Sequence, residues 1–180
     1  MTVEELVVST VVYLPPEEVY DFLADFERYE NYSDHLEEVV GRGDGGEGTR
    51  YDMVFTWWKL RYVARSEVTE TDMPERIEWR IVKDLDAHGR WLVERVDAPA
   101  DAPEDVTAAS RVTFEVTFDP DSAEAGMINL PSFVSLGWVV DKVKPIIEEE
   151  AQRVVERVVA DIEGRERSVD LSVERRERKG

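Results

Sequence analysis

Histidine, the side chain best suited to proton transfer near neutral pH, occurs only at His35 and His88. His35 sits in an aromatic stretch and would act as a general base if it faced a cavity mouth. His88 falls in a segment that reads as a loop. Neither has a second ligand at HxxxH or HExxH spacing, and the chain has no cysteine. A zinc site, a thiolate nucleophile and a disulfide therefore find no residues to build them. No Gly-x-Ser-x-Gly occurs and no serine has a motif partner, so nucleophilic hydrolysis is unsupported. The glycine-rich run GRGDGGEG lacks the lysine and following helix of a phosphate-binding loop and reads as a hairpin turn. No metal or cofactor is expected from these patterns.

The aromatic residues say more. Tyr51, Phe55, Trp57, Trp79, Trp91, Phe114 and Phe118, with Phe133 and Trp138 near the start of a long helix, could line a pocket for a planar apolar ligand. Core packing is the competing use for them. Tryptophan weighs most, because its N–H requires a polar partner when buried. Arg61, Arg80, Arg90 and Glu94, together with His35, are candidates for the polar end of such a pocket. Their faces depend on strand register, and a shift of one residue reverses every assignment.

These residues must be positioned by a fold, and the stretch from Leu130 to Gly164 organises it. Apolar residues at Leu136, Val139, Val140, Val143, Ile147, Ala151, Val154, Val155, Val158 and Ile162 recur in steps of three and four, which draws one stripe along a helix. Pro131 suits its start, Gly164 its stop, and Pro145 a kink within it. Upstream, Val7–Leu14 reads as a strand halted at Pro15-Pro16, followed by a short helix from Pro16 and a second short helix or turn. Strands are then predicted at Leu36–Val40, Thr49–Trp58, Leu60–Thr71, Arg76–Lys83, Arg90–Val96 and Ser110–Asp119, with Trp58-Lys59 as a turn and Asp84–Gly89 as a hairpin loop. Asp97–Asp105 reads as a surface loop. The pattern predicts an α+β domain over residues 1–164, a curved antiparallel sheet of about six or seven strands around the C-terminal helix. Residues 165–180 are left as a charged tail or an edge strand.

A chain of 180 residues suits one domain, and the 42% hydrophobic content supports a core despite 35% charged residues. The formal net charge of −19 is spread along the chain. It repels phosphates and disfavours nucleic-acid binding. Acidic surfaces with arginine in place of lysine resemble those of cytoplasmic proteins from salt-loving organisms, and no signal peptide or membrane span is read from the sequence. Stable membrane insertion is not expected. The apolar stretch from Met127 to Phe133 could form a lid or touch a membrane transiently during ligand exchange.

The head VVYLPPEEVYDFLADFERYENY carries a further signal. Leu14-Pro15, then Val19-Tyr20-x-Phe22-Leu23, Asp25, Tyr29 and Tyr32, followed by strands and a long terminal helix, resembles the START-like or SRPBCC superfamily with its helix-grip fold. The resemblance covers about Val7 to Gly164 and is strongest to the polyketide cyclase/dehydrase and coenzyme Q-binding branch. At Asn31-Tyr32-Ser33 the chain departs from that branch, which often has proline and Phe or Trp there. The resemblance implies a cavity between sheet and helix that binds or carries a lipid, isoprenoid quinone or polycyclic compound. Two other readings stay open: a cyclase or dehydratase acting on aromatic polyketide-like substrates, and a protein-interaction module with a closed interior. Oligomeric state is not legible.

Overall fold

The computed structural model describes residues 2–119, 122 and 136–179. The chain begins with β1 (Thr2–Val12), whose β-branched residues favour an extended backbone. Pro15 and Pro16 then stop the strand, and Pro16 opens α1 (Pro16–Ala24), with Glu17 and Glu18 in the first turn complementing the helix dipole. The buried face of α1 is Val19, Tyr20, Phe22 and Leu23. A 3-10 helix spans Phe26–Asn31. The strands β2 (Leu36–Arg42), β3 (Arg50–Trp57), β4 (Leu60–Asp72), β5 (Arg76–Ile81), β6 (Asp86–Val96) and β7 (Ala109–Asp119) follow as a meander. Helix α2 (Leu136–Glu163) and strand β8 (Ser172–Lys179) close the chain.

All pairings are antiparallel, in the order β2-β3-β4-β5-β6-β7-β1-β8. The sheet thus has eight strands, not six or seven. The added strand is β8, which pairs along β1 from Ser9↔Ser172 to Thr2↔Lys179. Its charged sequence carries little strand signal of its own, and the ladder supplied by β1 makes the difference. β1 correspondingly starts at Thr2, before the predicted Val7, and ends at Val12. The Asp84–Gly89 loop is also shorter than predicted, because β6 starts at Asp86 and His88 pairs with Arg80 and Thr117. Flanking ladders on both sides override the weak strand propensity of Asp and Gly there.

Register shifts at Leu36/Glu38 and Val68/Glu70 add bulges that bend the sheet. Curvature is visible in the contacts of α2. Its Glu150 meets Ser33, at the entrance to edge strand β2, while its Glu148 pairs with Arg175 of the opposite edge strand β8. Both margins of the sheet therefore reach the same turn of the helix. On α2, Val159 is buried, and Val154, Val155, Val158 and Ile162 pack against the core. The helix runs on through Pro145. The stretch predicted as its first turns, from Leu130, lies outside the described residues.

The C-terminal end of α2 is fixed by a buried ionic clamp. The Glu163 side chain is 2% exposed, and Arg167 reaches it through Nε at 2.8 Å and a second guanidinium nitrogen at 2.9 Å. The same carboxylate accepts the backbone N–H of Tyr13 at 2.8 Å. Arg167 also donates to the Val11 carbonyl at 2.8 Å and lies over the Tyr13 ring at 3.8 Å. The chain leaving β1 and the chain leaving α2 are thereby locked together. Removing one partner of a buried pair strands the other charge. Arg167→Ala is expected to lower stability by about 3 kcal/mol, measured by denaturant unfolding.

The outer face of the sheet is held by ion pairs. Arg65 grips Asp52 at 2.7 and 3.2 Å, and Glu67 lies between Arg50 at 2.8 Å and Arg80 at 3.1 Å. Hydrogen bonding from Arg65 holds the Asp52 carboxyl below its usual range. A carboxylate lowered in the native state stabilises the fold fully above its unfolded value, and that contribution fades as pH falls through the native value. Stability is therefore expected to drop on acidification below the ordinary carboxylate range. In Asp52→Asn that part of the decline should disappear, as read from unfolding midpoints between neutral and strongly acidic pH.

Candidate functional site

Strand alternation decides which side chains face α2. One row across the sheet runs Ile77↔Trp91↔Phe114↔Val8↔Val173, and Trp91 packs with the core cluster that includes Val159 of α2. Ile77, Val93 and Val112 on the same parity are also core residues. Tyr51, Phe55, Trp57, Trp79 and Phe118 share this inner face by register. The aromatic candidates on the strands therefore come together on one surface.

Their rings touch in sequence. Trp79 stacks on Phe114 with centroids 5.8 Å apart, and Phe114 lies 4.6 Å from Trp91. Trp91 meets Tyr29 edge-on at 6.3 Å. Tyr29 stacks on Phe26 at 5.1 Å, which lies 4.7 Å from Tyr51. The wall thus continues from β7 through β6 onto the 3-10 helix and back to β3. The place of the Trp79 ring in it depends on Gly89, which lies opposite Trp79 in the ladder. A Cβ at Gly89 would stand 2.5 Å from the Trp79 ring and would also press on the Glu115 carbonyl oxygen.

The polar groups of this wall are of two kinds. Tyr29 donates from its hydroxyl to the Leu23 carbonyl oxygen, and burial pushes that hydroxyl well above the usual phenol range, with a hydrogen bond from Trp91 working against the rise. Tyr62 and Ser66, by contrast, hold buried hydroxyls with no hydrogen-bond partner among the described residues. Both belong to the inner parity of β4, with Leu60, Ala64 and Val68, since Tyr62 pairs with Phe55 and Ser66 with Tyr51. Ser66 is 2% exposed. The Tyr62 hydroxyl is raised by burial first and by the charge of Asp84 second. A buried hydroxyl left unpaired is costly, so either oxygen would gain from a polar partner.

The polar residues singled out from the sequence fall elsewhere. Arg61, Arg80, Arg90 and Glu94 share the outer parity, opposite Thr56, Glu67, Glu115 and Arg111 respectively. Arg80 binds Glu67, and Arg90 binds Glu115 at 2.5 Å. Arg80 and Arg90 brace the outer face, and none of the four joins the aromatic wall. The reason is the single-residue parity of a strand: Arg61 and Tyr62 are neighbours in sequence and point to opposite sides. The alternation Leu60, Tyr62, Ala64, Ser66, Val68 was the signal that marked the inner hydroxyls. His35 is half-buried just before β2, its Nδ1 3.3 Å from the Thr56 carbonyl oxygen. Phe133 and the Met127–Phe133 stretch lie outside the described residues, as does the side chain of Trp138.

Two surface grooves flank the sheet. One of about 530 Å³ lies between α1 and the β2–β3 turn, with Asp21, Asp25, Glu27 and Asp44 in its lining and Tyr51 as its reach toward the core. The other, about 580 Å³, lies beside the β5–β6 turn and includes Arg50, Arg80 and Lys83. Among the described residues, no three or more His, Asp or Glu side chains gather in a way that could hold a metal ion. Nor, among them, is any helix long and apolar enough to cross a membrane.

Comparison with solved structures returns the same architecture. The Zhui aromatase/cyclase from Streptomyces sp. R1128 matches with a TM-score of 0.60 and 14% identity, over 89% of this chain and 94% of that one. A protein from Thermus thermophilus matches with a TM-score of 0.58 and 19% identity, over 89% and 97% of the two chains. Ara h 8.0201 matches with a TM-score of 0.58 and 13% identity, over 90% and 99%. At these identities the likeness carries the fold alone, which is the helix grip. No curated protein matches the chain. The model of one family, described as polyketide cyclase / dehydrase and lipid transport, matches residues 4–163. Nearly the whole chain is thus accounted for, and the protein belongs to the polyketide cyclase / dehydrase and lipid transport family.

Proposed function

We propose that the protein binds and carries a hydrophobic small molecule between the inner sheet face and α2. The observation that carries this reading is the continuous aromatic wall with two unpaired hydroxyls, Tyr62 and Ser66, set into it. Apolar burial would supply most of the affinity, and the hydroxyls would orient the ligand. The two residues stand four positions apart on one strand, which puts their Cα atoms about 13 Å apart and their hydroxyls at separate points of the wall. An elongated lipid, isoprenoid quinone or polycyclic compound with oxygen at more than one place fits that spacing. The family description, which includes lipid transport, supports the same class.

We favour carriage over cyclase or dehydratase chemistry because catalysis needs an acid and a base converging on one reacting atom. Arg61, Arg80, Arg90 and Glu94 stand on the outer face, and His35 is held against the Thr56 carbonyl. The acidic composition suits a salt-rich cytoplasm, so binding is measured at both physiological and concentrated salt.

The first test is native mass spectrometry of the protein purified from its own cells, followed by organic extraction. A stoichiometric apolar molecule supports the reading and identifies its class; protein that is empty and takes up no fatty acid, quinone or polycyclic probe overturns it. Tyr62→Phe separates ligand binding from folding. Removing an unpaired buried hydroxyl is expected to leave the ligand-free protein equally stable or about 1 kcal/mol more stable, while the hydroxyl's lost contact weakens ligand binding roughly five- to tenfold. Thermal unfolding and tryptophan-fluorescence titration report the two effects. Gly89→Ala is expected to displace the Trp79 ring, at about 1–3 kcal/mol in stability, with altered tryptophan emission.

A further inference from the structure

The turn between β3 and β4 is built from Trp58 and Lys59. Trp58 is 58% exposed and holds a left-handed backbone at φ 53, a conformation that a bulky side chain rarely adopts. Phe55 on the same hairpin is 39% exposed, and both are among the few large apolar side chains left open to solvent in the described structure. The Lys59 ammonium lies 5.6 Å from the Trp58 ring centroid. Arg61 is exposed beside it. Between Asp52 and Glu67 the sequence holds no acidic residue, but it carries Lys59, Arg61 and Arg65. Arg65 is engaged by Asp52, whereas Lys59 and Arg61 form no ion pair among the described residues. In a chain with a formal charge of −19, this hairpin is a positively charged aromatic tip.

Its place in the fold matters as much as its composition. The Thr56 N–H donates to the His35 carbonyl at 2.8 Å, and Ser33, two residues earlier, meets Glu150 of α2. The tip therefore stands at the sheet margin whose neighbouring segment, Ser33–His35, meets the middle of α2. From there Phe55, Trp57, Leu60 and Tyr62 lead inward on the parity of the aromatic wall.

We propose that the β3–β4 hairpin docks the protein on an anionic lipid bilayer. Trp58 and Phe55 seat at the boundary between headgroups and acyl chains, the level at which tryptophan is enriched in membrane proteins. Lys59 and Arg61 pair with headgroup phosphates. The acidic body stands farther from the surface, where its repulsion is screened beyond about 8 Å at physiological ionic strength. Docking rests on the hairpin alone; its use for passing a ligand between bilayer and inner face rests on the carriage reading above.

The test is co-sedimentation of the full chain with vesicles of phosphatidylglycerol and phosphatidylcholine at physiological salt, with folding confirmed by circular dichroism in the same buffer. Wild-type protein is expected to pellet with these vesicles, and quenching by brominated acyl chains to be lost in Trp58→Ser. Lys59→Gln and Arg61→Gln should each weaken partitioning about fivefold. Met73, 68% exposed but flanked by Asp72 and Glu75, is the control, and Met73→Ser should pellet like wild type. No pelleting of the wild type, equal pelleting of Trp58→Ser, or equal loss in Met73→Ser overturns the proposal. Ligand extraction is independent of vesicles, so failure to dock and failure to carry a ligand are distinguishable.

Discussion

The Glu163 carboxylate is the point on which the architecture turns. A single buried anion accepts hydrogen bonds from Arg167 and from the Tyr13 backbone, while Arg167 reaches on to the Val11 carbonyl. These contacts tie the end of the first strand to the end of the last helix, across nearly the whole sequence. A long helix lying in a curved sheet has few ways to be fixed along its axis, because apolar packing is non-directional. The clamp supplies direction at one end. Farther up the same helix, Tyr32 donates to Asp161, Arg157 donates to the Tyr32 carbonyl at 3.0 Å, and Arg28 pairs with Asp161 at 3.4 Å.

Once the helix is seated, the sheet has one inner face and one outer face, and the two use opposite chemistry. The inner face is aromatic and aliphatic. The outer face is a lattice of Arg–carboxylate pairs, with rows such as Arg50↔Glu67↔Arg80 crossing three strands. Exposed pairs of this kind contribute little individually. Their alternation along each strand nonetheless makes a slipped register unfavourable, since a slip would bury arginines and expose tryptophans. The outer face therefore helps to specify the inner one.

The same division explains why a family whose description spans catalysis and transport can share one scaffold. In the reading proposed above, a ligand would lie between the sheet and α2, and the few polar atoms left unpaired on that wall among the described residues would determine what it must present. Here those atoms are the Tyr62 and Ser66 hydroxyls.

Much of this was legible in the residues themselves. Pro15-Pro16 ended the first strand, the alternation from Tyr51 to Trp57 and from Val112 to Phe118 marked inner faces, and steps of three and four marked α2, because these signals are local and follow from backbone periodicity. Strand β8 was only half legible, since a charged sequence becomes a strand when a neighbour offers a ladder. The faces of the polar candidates were left open for a related reason. Arg61 and Tyr62 differ by one position, and only the small and apolar company of Leu60, Ala64 and Val68 marks Tyr62 and not Arg61 as the inward side chain. Composition and periodicity determined the fold and the aromatic wall. Tertiary structure alone decided which hydroxyls stay unpaired within it and which arginines brace its back, because register is a property of paired strands and no single strand carries it.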